Sequence, residues 1–214
     1  MVPSPRVEVP SEPEPTVLVI DDDGDTRESL GRLLRSVDLK AQLYASVSEF
    51  LTTGRPAGAS CLVLDVRLPG KSGLDFQREL AAADIRLPII FITGHGDIPM
   101  SVQAMKGGAI EFLTKPFRDQ DMLDAIGLGL ARDRAWREEE RCLAALKERF
   151  EHLTPREREI MVQVARGRLS KQIAAEIGVS EVTVKVHRSN LMRKMKAASL
   201  PELGRIADKL NLVH

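Results

Sequence analysis

Cysteine is nearly missing from this chain: two residues in 214, Cys61 and Cys142, far apart and without metal-ligand spacing. That excludes a disulfide scaffold and a cysteine-based metal knuckle, and it suggests a reducing, cytoplasmic setting. No apolar run approaches the ~18 residues a membrane helix needs. The first fifteen residues, MVPSPRVEVPSEPEP, have no apolar core after Arg6 and do not read as a signal peptide. Net charge is also missing, because 31 basic residues balance 31 acidic ones. Hydrophobic residues at 43% and charged residues at 29% are ordinary globular usage, which excludes a collagen-like or wholly disordered chain.

The zero net charge conceals an asymmetry. Residues 1–129 carry 13 basic and 19 acidic side chains, net −6, whereas residues 130–214 carry 18 and 12, net +6. An acidic half joined to a basic half points to two domains with different partners, the basic one a candidate for nucleic acid.

Residues 1–15, rich in Pro, Glu and Ser, read as a disordered leader. Five short apolar runs follow: TVLVI (16–20), AQLY (41–44), CLVLD (61–65), PIIFIT (88–93) and IEFLT (110–114). Helical spacing lies between several of them. Leu30, Leu33, Leu34 and Val37 mark 26–37; Leu74, Phe76 and Leu80 mark 73–82; Ile98, Val102 and Met105 mark 98–106. The middle runs are apolar throughout, as expected of strands buried on both faces. The pattern predicts a doubly wound α/β domain with five parallel strands. Residues 118–150 are a long polar helical stretch, read as one helix capping the first domain and leading into the second. Trp136, Leu143 and Phe150, with Leu146 and Leu153 in heptad phase, also allow a short coiled coil, although Glu139 interrupts it.

After 153 every signal is helical. Thr154-Pro155-Arg156-Glu157 is a capping box. Ser170 opens a helix that ends at Gly178, Ser180 caps the next to about Lys196, and Ser199 with Glu202 precedes the last. These are four short helices.

Open parallel sheets place ligands at the carboxyl ends of their strands. There the sequence puts Asp21-Asp22-Asp23 after the first strand, Asp65 at the end of the third, Thr93 at the end of the fourth and Lys115-Pro116 after the fifth. Clustered carboxylates suit a hard cation such as Mg²⁺, and a carboxylate beside it can attack phosphorus. A hydroxyl and an ammonium could hold the phosphoryl oxygens. Each residue alone also has an ordinary turn or loop role. The lone His95, between two glycines, is read as loop chemistry.

In the basic half, a projection of the helix capped by Ser180 at ~100° per residue buries Val184, Leu191 and Met195. Val182, Lys185, Val186, Ser189 and Arg193 point the other way. Outward valines beside Lys and Ser suit a helix entering a major groove, where thymine methyls and base edges are both read. Lys171, Thr183, His187, Arg188 and Lys194 are candidates for phosphate contacts or for framing the groove. A small helical bundle with a solvated basic face is the plainer alternative.

Residues 16–129 resemble a two-component receiver domain through VLVIDDD, LVLDVRLPGKSGLDF, PIIFITGHGD and GAIEFLTKPF. By that resemblance Asp65 is the phosphoacceptor, and Asp21, Asp22, Asp65 and the main-chain carbonyl of Arg67 hold Mg²⁺. Thr93 and Lys115 then meet the phosphoryl group, and Phe112 takes the switch position where the family often has Tyr. The Lys–Pro bond in this family is typically cis. LTPREREIMVQVARGRLSKQIAAEIGVSEVTVKVHRSNLMRKM is similar to the LuxR-type helix-turn-helix of the FixJ/NarL response regulators. That likeness brings Lys185, Val186 and Ser189 to the bases, Ser189 standing where some relatives have Lys or Arg. It also implies that helix 199–210 pairs two domains through an exposed apolar face.

The implied organisation is a leader (1–15), a flavodoxin-like receiver (16–129), a helical linker (130–150) and a four-helix DNA-binding domain (151–214). The implied function is a cytoplasmic transcription factor and not an enzyme, activated when a sensor histidine kinase phosphorylates Asp65. Activation would favour a homodimer through the 98–106 and 110–114 face, on two-fold symmetric double-stranded DNA, with RNA polymerase a further possible partner. Two alternatives stand beside it: a DNA-binding regulator independent of phosphorylation, and an aspartyl phosphatase or phosphotransferase using Asp21 and Asp23.

Overall fold

The computed structural model describes residues 13–212. All but three residues of the expected leader lie outside that range. The chain divides into two compact units, 1–137 and 138–214.

The first unit holds five parallel strands: β1 Thr16–Ile20, β2 Lys40–Tyr44, β3 Ser60–Asp65, β4 Ile89–Thr93 and β5 Glu111–Thr114. Their order is β2-β1-β3-β4-β5. The inner strands β1, β3 and β4 are buried throughout, which explains their unbroken apolar runs. Alternate residues feed two cores. Val17, Val19, Cys61, Val63, Ile90 and Ile92 pack under helices α1 (Gly24–Ser36) and α5 (Asp119–Glu151). Leu18, Ile20, Leu62, Leu64 and Phe91 pack under α2 (Val47–Thr53), α3 (Gly73–Ala82) and α4 (Ile98–Lys106). This is the doubly wound sheet expected from the pattern. The spacing reading did not single out α2. Its signals are short: Ser46 Oγ accepts from the Glu49 amide, and only Val47 and Phe50 are buried.

On α4 the apolar spacing does not mark the inward face. Ala104 is buried, whereas Ile98, Val102 and Met105 are exposed, Ile98 by 79%.

Helix α5 runs 33 residues without a break. Met122, Ile126 and Leu130 belong to the core of the first unit. Asp133, fully buried, accepts from the Ser60 amide at 2.8 Å, from Arg137 Nε at 2.7 Å and from Arg55. Arg137 also donates to the carbonyls of Ala57 and Pro56. The stretch expected as linker from 130 therefore begins as part of the first unit. Leu146, Phe150 and Leu153, three of the heptad residues, pack into the core of the second unit.

The second unit contains α6 (Pro155–Ala165), α7 (Ser170–Ile177), α8 (Glu181–Met195) and α9 (Leu200–Lys209). The Thr154/Glu157 capping box forms as expected. Gly178 closes α7 in the left-handed region (φ 69°), which turns the chain into Ser180, the N-cap of α8. Ser170 opens α7 as expected; its N-cap is Leu169, whose amide donates to Gln172 Oε1. One sequence expectation needs correction. The apolar face of α9 is not exposed: Leu203, Ile206 and Ala207 are buried in the core of their own unit, because so small a helical unit needs that face to cover itself.

Candidate functional site

The strand order reverses at β1 and β3, so the loops after them diverge and leave a crevice at their carboxyl ends. Asp21 follows β1 and is fully buried; Asp65 ends β3 and is nearly so. The exposed Asp22 joins them, and one carboxylate oxygen from each of the three lies within 4.8 Å of the others. Lys115, just after β5, donates to Asp21 Oδ2 at 2.7 Å and to Asp65 Oδ2 at 2.9 Å.

Local geometry fixes each carboxylate. Asp21 Oδ1 accepts from the Asp23 amide at 2.9 Å, and Arg27 donates to the Asp21 carbonyl at 2.6 Å. Asp65 Oδ1 accepts from the Arg67 amide at 2.9 Å. Asp23 has a different task. It is the N-cap of α1, and its side chain accepts from the Asp25 amide and from Thr26 Oγ1 at 2.6 Å. The hydroxyl of Thr26 and that cap hold its carboxyl below the usual range. The spacing of Asp21 and Asp23 thus comes from a helix cap, which removes the support for pairing them as nucleophile and acid.

Burial raises the pKa of Asp21, even though Lys115 and the Asp23 amide favour its charged form. Burial works against charge on Lys115 too, but hydrogen bonds to Asp21 and Asp65 outweigh it and hold the ammonium protonated. The site is a short-carboxylate cradle with one built-in cation.

Thr93, at the end of β4, is buried, and its hydroxyl accepts from the His95 amide at 3.3 Å. Its carbonyl accepts from the Lys115 amide at 2.7 Å, so β4 and β5 place both residues on one rim. Phe112, half-buried on edge strand β5, lies 6.4 Å from Phe91 between ring centroids. The Lys115–Pro116 bond is cis. A residue the motif reading passed over is Gly73. A Cβ there would fall 2.4 Å from the carbonyl oxygen of Asp65, so glycine is what lets α3 approach the end of β3.

In the second unit the projection of α8 matches the structure. Val184, Leu191 and Met195 are fully buried; Val182 (70%) and Val186 (55%) are exposed beside Lys185, Ser189 and Arg193. Lys171 and Thr183 are also exposed, and His187 is half-buried. Lys185 Nζ pairs with Glu181 at 2.9 Å. Arg188 lies elsewhere. At four residues from Val184 it sits on the inward face, and Nη1 donates to Ser170 Oγ on α7 at 2.5 Å. Lys194 likewise reaches inward to Glu157 at 2.6 Å. The helical projection already contained this signal for Arg188, since i and i+4 share a face.

Among the described residues no helix is long and apolar enough to cross a membrane. Residues 17–127 match the response regulator receiver domain family, and residues 151–211 match the LuxR family of bacterial regulatory proteins. The chain is 54% identical to Nodulation protein W of Bradyrhizobium diazoefficiens over 92% of its own length and 86% of that protein. It is 45% identical to response regulator protein TodT of Pseudomonas putida, over 91% and 86%. Among solved structures, that of the response regulator StyR superposes with a TM-score of 0.81 at 47% identity, covering 92% of this chain and all of the other. The chain belongs to the two-component response regulators that join a receiver domain to a LuxR-type helix-turn-helix domain.

Proposed function

We propose that the protein is a transcription factor switched by phosphorylation of Asp65. The observation that carries this reading is the double contact of Lys115 with Asp21 and Asp65, beside the buried Thr93 hydroxyl and the exposed Asp22. A phosphorylated histidine of a partner kinase is the donor. The N–P bond of the donor breaks as an Asp65 carboxylate oxygen bonds to phosphorus, and the histidine nitrogen keeps the electron pair. Lys115, already within hydrogen-bond reach of Asp65, then serves the phosphoryl oxygens, and the Thr93 hydroxyl turns from its loop amide toward the same group.

The three carboxylates fit Mg²⁺, because hard oxygen donors that leave coordination positions open are what this ion takes. Asp21, Asp22, Asp65 and the Arg67 carbonyl would hold it. When bound, Mg²⁺ supplies positive charge for the phosphoryl oxygens.

The new charge favours one of two receiver conformations, in which Thr93 and Phe112 have moved together. The exposed stripe Ile98, Val102 and Met105 on α4 supports self-association of receivers through that face, with β5 beside it. Two copies would then present two α8 helices to a two-fold symmetric duplex. Lys185, Val186 and Ser189 are assigned to base edges; Lys171, Thr183, His187 and Arg193 are assigned to the groove and its phosphates. Arg188 is kept as a phosphate candidate only through its guanidinium edge beside Ser170. We assign a receiver from 16 whose last helix stays with it to 137, a helical linker over 138–150 and a DNA-binding domain over 151–214.

Sedimentation with Mg²⁺, with and without beryllofluoride, tests the reading. The wild-type protein is expected to pass from monomer to dimer and to bind DNA more tightly. An Asp65→Asn protein that dimerises and binds DNA like the wild type under a phosphodonor would refute it.

A further inference from the structure

Glu181 is the one acidic side chain in α8, a helix otherwise rich in basic and neutral groups. It stands in the first turn of that helix, on the lip carrying the exposed Lys171, Thr183 and Lys185. A carboxylate near DNA phosphates is repelled, so its presence there weakens binding to any duplex unless it acts through a neighbour. It has such a neighbour. Glu181 Oε1 accepts from Lys185 Nζ at 2.9 Å, one helical turn on. The positive charge of Lys171 also acts on the carboxylate from α7.

Resting on the function proposed above, we infer that Glu181 is a specificity-determining residue that acts through Lys185. Lys185 has a flexible four-carbon stem and a compact charge that satisfies any nearby phosphate. The carboxylate draws that stem back along the helix toward its N-terminus and neutralises the ammonium. A phosphate then has to compete with Glu181 for Lys185. The pairing also fixes where the ammonium sits, so a base edge at that one place, such as guanine O6 and N7, can meet it while it stays paired, whereas a phosphate elsewhere has to draw it away from Glu181. Glu181 thereby lowers affinity for arbitrary DNA more than affinity for the preferred site. An exposed ion pair of this kind adds little to folding.

The test uses the full chain with beryllofluoride and Mg²⁺ and two probes: a mixed-sequence duplex, and a duplex that the wild-type protein has itself selected from a random library. Glu181→Gln is expected to tighten binding to the mixed-sequence duplex several-fold and to change binding to the selected duplex less, so the ratio between them falls. The slope of log affinity against log salt on the mixed duplex should steepen by about one, the value for one additional phosphate contact. In a Lys185→Met background the same Glu181→Gln change should leave the ratio alone. Equal changes on both probes, no change on either, or an effect that persists without Lys185 would each overturn the inference. An equal loss on both would reduce Glu181 to a helix-end residue. A wild-type protein that selects no sequence at all would refute the underlying DNA-binding function as well, which separates the two failures.

Discussion

Lys115 Nζ lies 2.9 Å from Asp65 Oδ2, so the carboxylate assigned to accept the phosphoryl group is already ion-paired before any donor arrives. The same ammonium pairs with Asp21 at 2.7 Å. It is the cation that lets two buried carboxylates share one crevice. Lys115→Met removes it and leaves both without compensation, which should cost about 3 kcal/mol without divalent metal. If the folded site holds Mg²⁺ as proposed, adding the ion should recover part of that loss. Thermal melts of both proteins across a Mg²⁺ titration measure it, and the variant is expected to show the larger Mg²⁺-dependent rise.

Asp21 should behave in the opposite way. Its folded pKa is raised, mainly by burial, against the contribution of Lys115. A raised carboxyl contributes stability that is present at acid pH and lost as pH rises through the folded value. At neutral pH the charged Asp21 is therefore a burden on the fold. Asp21→Asn should stabilise the first unit by about 1 kcal/mol, or roughly 3–6 °C in melting temperature, while weakening Mg²⁺ binding. A variant that melts above the wild type without Mg²⁺, together with a Mg²⁺-dependent rise in the wild type alone, would show both effects.

Glu157 titrates with the other sign. Burial would raise its pKa, but Lys194 at 2.6 Å and the Thr154 amide at 2.8 Å outweigh it, and the net shift is downward. Stability from this group is complete above its ordinary value of 4.5 and is lost as pH falls through the lower folded value. Lys194→Met leaves a buried carboxylate beside an apolar side chain and should cost the second unit about 3 kcal/mol at neutral pH. Its acid unfolding midpoint should move to higher pH. Glu157→Gln should flatten the acid dependence instead, and circular dichroism of the full chain between pH 3 and 7 distinguishes the two variants.

The contrast between legible and hidden features follows from the range of the interactions. Continuous apolar runs mark β1, β3 and β4 because both faces of an inner strand are covered, and a motif such as TKPF marks the rim because it is local. Period marked the inner face of α8 as well: Val184, Leu191 and Met195 are buried as projected. On α4 the same period led to the exposed face: Ile98, Val102 and Met105 are exposed, and Ala104 is the residue turned into the core. For α9 the strong apolar stripe was assigned outward, although a helical unit of this size has no other material to close itself. Arg188 was counted with its charged neighbours, although its phase with Val184 turns it toward Ser170. Contacts between distant residues outside any motif left no mark in the sequence, and Asp133 is the clearest of them.

Asp133 looks like one more charged residue on a polar helix, yet it is fully buried and its partners are 73 and 78 residues away. It joins α5 to the start of β3 and to the loop before it. Asp133→Ala leaves the guanidiniums of Arg55 and Arg137 and the Ser60 amide without their acceptor, at an expected cost of about 3 kcal/mol. Hydrogen exchange should report the loss locally, with the amides of Ser60 and of residues 134–137 less protected while Val63 and Ile90 keep theirs. Protection of 134–137 equal to wild type would show that the apolar side of α5 suffices to hold the helix.

Gly73 offers the closest test of how finely the crevice is set. An added Cβ would meet the Asp65 carbonyl oxygen at 2.4 Å, the Leu64 side chain at 3.1 Å and the Asp65 carbonyl carbon at 3.2 Å. Two of these atoms are backbone, so neither can swing away as a side chain would, and either α3 or the end of β3 has to shift. Gly73→Ala should therefore destabilise the first unit by about 1–3 kcal/mol, the usual penalty for overpacking. It should also slow modification of Asp65 by a small phosphodonor, read by intact mass, because the carboxylate leaves its place beside Lys115. Gly127→Ala makes the same chemical change in an exposed turn of α5, where a Cβ meets nothing within 4 Å. There alanine only improves helix propensity and should stabilise by about 0.5–1 kcal/mol, leaving phosphorylation unchanged. If both variants were phosphorylated at the wild-type rate, the close approach of α3 would matter to packing alone and not to the position of Asp65.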